Sequence, residues 1–155
     1  MAIEFRHILV PVDFTEASSG LLQAAGDLAR KFGSELTLVH VYEVPAYVYG
    51  GVMYAPTELF APIAQAARAH LDEVLRGVRE AVPGAKGVLR QGLPSYEILA
   101  AIDELHPDLV VMGTHGRRGV RHVLLGSVAE KVVRMSAVPV LTLRVHDPAP
   151  PSRPA

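Results

Sequence analysis

Cysteine is absent from this sequence of 155 residues, and so is tryptophan. Without cysteine, the chain can form no disulfide, no zinc–thiolate site and no cysteine nucleophile. An excess of positive charge is also lacking, because 15 lysines and arginines are offset by 16 aspartates and glutamates. The formal net charge of −1 gives no field that would attract nucleic acid or an anionic membrane surface, so we expect neither as a partner.

Long apolar runs are missing too, since no stretch approaches the roughly 20 residues that a membrane-spanning helix requires. The N-terminus carries Glu4 and Arg6 and lacks the apolar core of a signal peptide, so we expect a cytoplasmic protein. The length fits one domain, which we assign to residues 1–145. The proline-rich composition of residues 146–155 predicts a disordered tail.

Familiar catalytic and metal-binding motifs are not found in the sequence. There is no Ser-His-Asp arrangement and no G-x4-G-K-[ST] phosphate loop. The seven histidines do not have the spacing of a metal site on a helix, and we expect them to be structural or exposed. His115, which lies in a glycine-rich segment, is also a candidate donor to a phosphate. The sequence therefore predicts no catalytic residue and no metal site.

The glycine-rich segment follows a strand-like run near the C-terminus. Met112 ends that run, and a G-x2-G-x9-G-S pattern extends from Gly113 to Ser127. Glycines directly after a strand permit a positive φ and let the backbone approach a ligand. Gly126 and Ser127 stand where a helix begins, and the unpaired N–H groups of a helix start favour an anion. The segment predicts a loop that binds the phosphates of a nucleotide.

The residues alone leave a second interpretation of this segment open. The glycines could serve only to make turns, with Ser127 as the cap of the following helix. The three arginines at positions 117, 118 and 121 favour the anion site, because a guanidinium group binds phosphate oxygens in a forked geometry. The loop also follows a late strand, whereas Walker and dinucleotide-binding loops follow the first.

Strand-like and helix-like patterns alternate along the chain. Short apolar runs predict five strands, at residues 7–12, 35–42, 87–90, 108–112 and 138–145. Apolar residues at helical spacing predict four helices, at residues 17–32, 62–82, 95–105 and 127–135. Ser95 is the expected cap of the third helix. Residues 45–56 are rich in glycine and tyrosine, which is typical of a surface loop, or alternatively of a lid or a partner contact.

This alternation predicts a mostly parallel sheet with helices on both faces. In such sheets a ligand lies at the carboxyl ends of the strands, where the strand order reverses. If the first and fourth strands are neighbours, Asp13 and Gly113 face one crevice. The Asp13 carboxylate can accept hydrogen bonds from ribose hydroxyls or reach a metal-bound water, and it can also cap the next helix.

Four segments, in this order along the chain, resemble the universal stress protein family. Ile8-Leu9-Val10-Pro11-Val12-Asp13 is similar to the family's first strand, Leu38-Val39-His40-Val41 to its second and Val138-Pro139-Val140-Leu141 to its last. Gly113-Thr114-His115-Gly116-Arg117-Arg118-Gly119 with Gly126-Ser127-Val128-Ala129 looks like its ATP-binding signature. The resemblance covers roughly residues 5–145. It implies an α/β fold with an open five-stranded parallel sheet, Rossmann-like, with strand order 3-2-1-4-5.

The resemblance also implies a ligand, which is ATP, and ATP can bring Mg²⁺ without a dedicated protein cage. Pro11 and Val41 match family positions that contact adenine, although on the sequence alone they are strand core. The glycine loop would surround the ribose and phosphates, and the start of the last helix would present amides and a hydroxyl to the phosphate tail. The predicted ligand-binding residues are Pro11, Val12, Asp13, Val41, Met112, Gly113, Thr114, His115, Gly116, Arg117, Arg118, Gly119, Gly126, Ser127, Val128 and Ala129.

The last predicted strand, which begins with Val138 and ends with Val145, predicts a homodimer. If this strand is a sheet edge, its unpaired backbone groups beside apolar Val140 and Leu141 invite pairing with a second chain about a two-fold axis. The family resemblance implies the same contact, since many members dimerise through this strand. The alternative is an edge shielded by the proline-rich tail.

We therefore predict an ATP-binding universal stress protein that acts as a nucleotide-dependent regulatory module in a stress response. An enzyme that hydrolyses ATP slowly or transfers an adenylyl group is the alternative. It is disfavoured because no general base or nucleophile is placed toward the phosphates. A flavodoxin-like FMN protein is a third hypothesis, but this chain has no glycine in Asp13-Phe14-Thr15-Glu16, where a flavin phosphate loop would lie. The sequence does not indicate a protein partner.

Overall fold

The computed structural model describes residues 2–15, 18–45, 47–49, 51–54, 57–114 and 125–144 of the chain. The strands in this part are β1 (His7–Pro11), β2 (Glu35–Tyr42), β3 (Tyr47–Tyr49), β4 (Val52–Tyr54), β5 (Lys86–Gln91), β6 (Leu109–Gly113) and β7 (Val140–Leu143). The helices are α1 (Ser18–Phe32), α2 (Phe60–Ala81), α3 (Pro94–Leu105) and α4 (Ser127–Met135). A 3₁₀ turn at Thr57–Leu59 leads into α2.

Five of these strands form one sheet in the order β5-β2-β1-β6-β7. Each pair of neighbours is parallel, so all five carboxyl ends lie at the same edge. Counted within this sheet, the order is 3-2-1-4-5, and the predicted fold class is confirmed. The order reverses between β1 and β6, and an open α/β sheet places its ligand at such a reversal.

Both faces of the sheet are buried because the side chains of a strand alternate in direction. Along β1, Ile8 and Val10 pack with α1 and α2, whereas Leu9 packs with α3 and α4. All three side chains are fully buried. This arrangement explains why β1 is a continuous apolar run in the sequence, since neither of its faces meets water.

Helix α1 buries one face and ends at a glycine, as its sequence predicts. Its buried residues include Leu21, Ala25 and Ala29, which recur at helical spacing. Gly33 follows the helix with φ +65°, a conformation that costs other residues energy but not glycine. The N–H of Ser34 then donates to the carbonyl of Ala29 at 2.8 Å, which satisfies a carbonyl at the helix end.

Several boundaries differ from the prediction by one or two residues, and two of these differences have local reasons. Helix α3 has Leu93 as its N-cap, with no capping side chain, so the predicted cap Ser95 was wrong and lies within the first turn. Pro94 begins the helix because a proline there lacks the N–H that would need a partner. Strand β7 is shorter than predicted: Val138 donates to Ser136 Oγ at 3.1 Å, and Pro139 has no N–H for the ladder.

Residues 47–54 contain a short antiparallel hairpin of β3 and β4, so the expected loop in this region was wrong in part. The sequence held the signal, because two Tyr- and Val-containing runs flank Gly50-Gly51. Two glycines between β-forming runs are typical of a two-residue hairpin turn, and Gly51 has φ +81°. Whether this hairpin acts as a lid or a partner contact remains a prediction.

Arg90 connects the edge strand β5 to α3. Its Nε donates to the Glu97 carboxylate at 2.7 Å and its Nη1 to the Glu104 carboxylate at 2.7 Å. The hydrogen bond from Arg90 lowers the pKa of Glu104 below its usual value. Since the folded pKa is the lower one, this pair contributes stability above the unfolded pKa of the carboxyl and loses it as the pH falls.

No helix in the described ranges is both long enough and apolar enough to span a bilayer. The tail at residues 146–155 lies outside those ranges, and its disorder remains a prediction.

Gly87 on β5 and Gly77 on α2 offer a matched test of helix packing. A Cβ on Gly87 would overlap Leu75 Cδ1 and lie 3.3 Å from Leu71, whereas a Cβ on Gly77 would meet nothing within 4 Å. Both leucines are buried and cannot move aside cheaply. We expect Gly87→Ala to lower the free energy of unfolding by about 1–3 kcal/mol and Gly77→Ala to raise it by up to about 1 kcal/mol. Urea unfolding measures both, and equal effects would contradict this packing.

Candidate functional site

A cavity of about 1630 Å³ lies at the carboxyl edge of the sheet. Residues at the ends of β1, β2, β5, β6 and β7 contribute to its lining. Both helix layers contribute as well, with Ala67 from α2, Ile98 from α3 and Ala129 from α4. The cavity therefore includes the point between β1 and β6 where the strand order reverses.

Every predicted ligand-binding residue that the structure describes lines this cavity. These residues are Pro11, Val12, Asp13, Val41, Met112, Gly113, Thr114, Gly126, Ser127, Val128 and Ala129. The remaining predicted residues, His115, Gly116, Arg117, Arg118 and Gly119, lie outside the described residues, as does Arg121. The structure thus brings the ends of β1, β2 and β6 and the start of α4 to one place, while the contact of these residues with a ligand remains a prediction.

Helix α4 begins at the wall of the cavity without a capping side chain. Gly126 is its N-cap, with φ −67° and ψ 162°. The N–H of Gly126 donates to the Thr114 carbonyl at 2.6 Å, which fixes the helix start beside the end of β6. The amides of the first turn point out of the helix, and the helix dipole adds partial positive charge there. This geometry suits an anionic group.

Two details of the glycine segment differ from the expectation. Gly113 does not adopt a positive φ; it is the last residue of β6 and pairs with Leu143 of β7. Ser127 is the first residue of α4 and not its cap, a position that Gly126 occupies. Neither Gly113 nor Gly126 therefore uses the positive φ that glycine permits, and what remains specific to glycine at these positions is the absence of a Cβ.

The Asp13 carboxylate organises the segment between β1 and α1. Its Oδ1 accepts hydrogen bonds from the backbone N–H of Thr15 at 3.1 Å, from Thr15 Oγ1 at 2.8 Å and from Ser18 Oγ at 3.0 Å. The carboxylate therefore holds the entry into α1 in place. Because Asp13 also lines the cavity, these bonds fix its position relative to any ligand there.

Three rings from three different elements stack at the cavity. Phe14, just after β1, lies with its centroid 3.9 Å from that of His40 on β2 and 4.1 Å from that of His70 on α2. The planes are tilted by 33° and 23°. His40 Nδ1 lies 2.8 Å from the Val12 carbonyl, and since a carbonyl only accepts, Nδ1 carries the proton. The stack is thereby attached to the end of β1.

Phe14 holds its place in this stack with a strained backbone. Its φ is +61°, a left-handed conformation that costs a residue with a Cβ about 1–2 kcal/mol. Such strain persists only where the surroundings enforce it. The two imidazoles beside the ring and the hydrogen bonds of the adjacent Asp13 provide that enforcement.

The described lining of the cavity carries acidic but no lysine or arginine side chains. Its carboxylates belong to Asp13, Glu43 and Glu130, and its basic candidates are His40 and His70. Lys131 on α4 does not contribute to the lining: its Nζ lies 3.4 Å from the centroid of the Tyr96 ring. Hydrogen bonding to Lys131 lowers the pKa of Tyr96. For the described residues, positive charge toward an anion therefore comes from the start of α4.

The described residues contain no group of three His, Asp or Glu side chains arranged to hold a metal ion. A Mg²⁺ ion at this site would then depend on oxygens of a bound ligand and on water, which is a common arrangement for Mg²⁺.

The sequence reasoning missed Phe14, His40 and the α2 wall as parts of the cavity lining. His40 was expected to be structural or exposed; it is 4% exposed, and it also lines the cavity. The α2 wall consists of Ile63, Ala66, Ala67 and His70, which recur at helical spacing. The sequence predicts the helix from apolar spacing and predicts His70 to be structural or exposed; only the fold shows that this face of α2 turns toward the strand ends.

Comparison with known proteins agrees with this architecture. A model described as "Universal stress protein family" matches residues 4–144. Universal stress protein YxiE of Bacillus subtilis (strain 168) is 31% identical over 147 residues, which cover 90% of this chain and 99% of that protein.

Solved structures show the same fold. Universal stress protein UspA from Lactobacillus plantarum superposes with a TM-score of 0.77 at 24% identity, covering 92% of this chain and 100% of that one. A universal stress protein in complex with cAMP superposes with a TM-score of 0.66 at 24% identity, covering 93% and 100% of the two chains.

Proposed function

Because the chain belongs to the universal stress protein family, we propose that it binds ATP in the cavity at the carboxyl edge of its sheet. In this proposal it acts as a nucleotide-dependent regulatory module in a stress response. The observation that carries the proposal is the start of α4, where an uncapped helix end meets the end of β6 beside the cavity. Amides and a helix dipole at such a place favour phosphate.

The two ends of the nucleotide have different surroundings in this arrangement. The phosphates lie along the start of α4, where Ser127 adds a hydroxyl to the backbone amides of the first turn. The predicted loop residues Arg117, Arg118 and Arg121 supply side-chain positive charge. The base lies toward Val12 and Val41, at the ends of β1 and β2. The ribose lies between the base and the phosphates, near Asp13.

A member of the family gives independent support for an adenine nucleotide. The related structure with a TM-score of 0.66 is a complex with cAMP, which contains adenine, ribose and one phosphate. The cavity of about 1630 Å³ is larger than the 300–1,000 Å³ of ordinary small-molecule sites, and it has room for the two further phosphates of ATP. Mg²⁺ would accompany these phosphates.

We also propose a homodimer that forms through β7. This strand is the last in the sheet order, so its outer side is an edge with unpaired backbone groups. Leu141 on β7 is 38% exposed, and the nearby α4 exposes Val133 and Met135. Pairing of β7 with its copy about a two-fold axis would cover all of these apolar side chains.

Binding of ATP is tested by Gly126→Asp and Ser127→Ala. An aspartate at the N-cap places a side chain and a negative charge where phosphate should lie, so we expect ATP affinity to be lost while the circular dichroism stays native. The loss of one hydroxyl contact in Ser127→Ala should cost about 1–2 kcal/mol of binding free energy. Isothermal titration calorimetry measures both, and an unchanged affinity of Gly126→Asp would refute this site.

Turnover of ATP is expected to be very slow. Lys131 is engaged with Tyr96, Glu130 pairs with Arg134 at 3.1 Å, and Asp13 Oδ1 already accepts three hydrogen bonds. None of these groups is arranged as a base for an attacking water. Phosphate release with ATP and Mg²⁺ should therefore stay far below the ~10 s⁻¹ of a median enzyme. A rate near that value, abolished by Gly126→Asp, would favour the enzyme alternative instead.

The dimer is tested by Leu141→Lys, which adds a charge to the exposed edge. Ile3→Lys is the matched control, because Ile3 is 71% exposed and precedes β1 in the chain. Light scattering at micromolar concentration should give a dimer mass for the unmodified chain and for Ile3→Lys, and a monomer mass for Leu141→Lys. A monomer mass for the unmodified chain would refute the dimer. A dimer mass for Leu141→Lys would show that the interface lies elsewhere.

A further inference from the structure

We propose that His70 of α2 contacts the bound ligand and that its imidazole provides the stacking surface for the nucleobase. This inference rests on the proposed binding of ATP and extends it to α2, an element from which the sequence predicts no ligand contact. Four observations carry it: the order of the three stacked rings, the exposure of each ring, the direction of the strand ends and the small side chains around His70.

The two imidazoles lie on opposite faces of the Phe14 ring. Their centroids are 3.9 Å and 4.1 Å from that of Phe14, with angles of 33° and 23° between the planes. At such distances each imidazole lies over a face of Phe14, and two rings cannot share one face without overlapping. The order of the stack is therefore His40, Phe14, His70, and both faces of Phe14 are occupied.

Only the outer faces of the two imidazoles are left for contact with a ligand, and the two histidines differ in exposure. His40 lines the cavity but is only 4% exposed, so it offers a ligand little surface. His70 is exposed and lines the cavity. Of the two outer rings of this stack, His70 is therefore the one that offers exposed surface to a ligand in the cavity. The stack behind it is fixed by the bond from His40 to the Val12 carbonyl, so the surface is held in position before any ligand arrives.

The sheet directs one face of a base toward this surface. A base whose edge meets backbone groups at the end of β2 lies roughly in the continuation of the sheet. Its two faces then turn toward the two helix layers. Leu38, two residues before His40, packs with α1 and α2, and alternation along the strand places His40 on that same side. One face of the base is thus directed toward the layer that contains His70.

The α2 side chains that line the cavity beside His70 are mostly small. Ala66 and Ala67 line the cavity one turn earlier on the same helix, and Ile63 lies one further turn away. These side chains supply apolar contact without filling the space. Tyr42 also lines the cavity, but its hydroxyl donates to Gln91 Oε1 at 3.3 Å, toward the edge strand β5. The described wall of α2 therefore offers His70 as its planar contact for a base.

The first experiment compares ATP with inorganic tripolyphosphate, which lacks the base and ribose. We expect His70→Ala to weaken ATP binding roughly 10-fold, the loss typical of one stacked base, and to leave tripolyphosphate binding unchanged. His70→Phe keeps a ring and should retain the ATP affinity. Gln65→Ala, an exposed change on α2 outside the cavity lining, is the matched control and should alter neither affinity. Calorimetry measures all four proteins, with circular dichroism as the check of folding.

The second experiment needs no substitution of the stack. In proton NMR spectra of the unmodified chain, ATP should shift the imidazole resonances of His70 upfield by the ring current of adenine, whereas tripolyphosphate should not. His106, which follows α3 and does not line the cavity, should stay in place. Absence of ATP binding to the unmodified chain would refute the proposed function itself. Binding of ATP with an unchanged affinity in His70→Ala, or without the upfield shift, would refute only the role of His70.

Discussion

The parallel direction of the five strands is the constraint on which the rest of the structure depends. Parallel neighbours need a crossover between them, and in this chain the helices of the crossovers begin on the side of the sheet where the strands end. The end of β6 and the start of α4 are joined there by the hydrogen bond from Gly126 to Thr114. Carbonyls of strand ends and amides of helix starts therefore lie around one cavity. Together they can form hydrogen bonds with both a base and a phosphate.

The segment after β1 contributes side chains to the cavity in addition to the backbone groups of the strand ends. Asp13 accepts three hydrogen bonds and Phe14 adopts a left-handed conformation. Together they place a carboxylate and an aromatic ring beside the cavity. The energy stored at Phe14 is offset by two stacked imidazoles, one of which is bonded to Val12. A site prepared in this way loses less conformational freedom when a ligand binds.

Much of this architecture could be predicted from the sequence, because apolar strand runs and helical spacing depend on local physics. The strand order needed the family resemblance, since the β1–β6 pairing joins residues about a hundred positions apart. The helix start at Gly126 and Ser127 was predictable from glycine chemistry. The roles of His40 and His70 were not predictable, because each residue lies in an ordinary strand or helix pattern. Only the fold shows that the Phe14 ring packs against both imidazoles.

A crystal structure of the chain grown with ATP and Mg²⁺ tests the central claim most directly. The account predicts phosphate density at the first-turn amides of α4, close to Ser127, and a base at the ends of β1 and β2 with one face on His70. Phosphates bound elsewhere, or a cavity without nucleotide at saturating ATP, would contradict it.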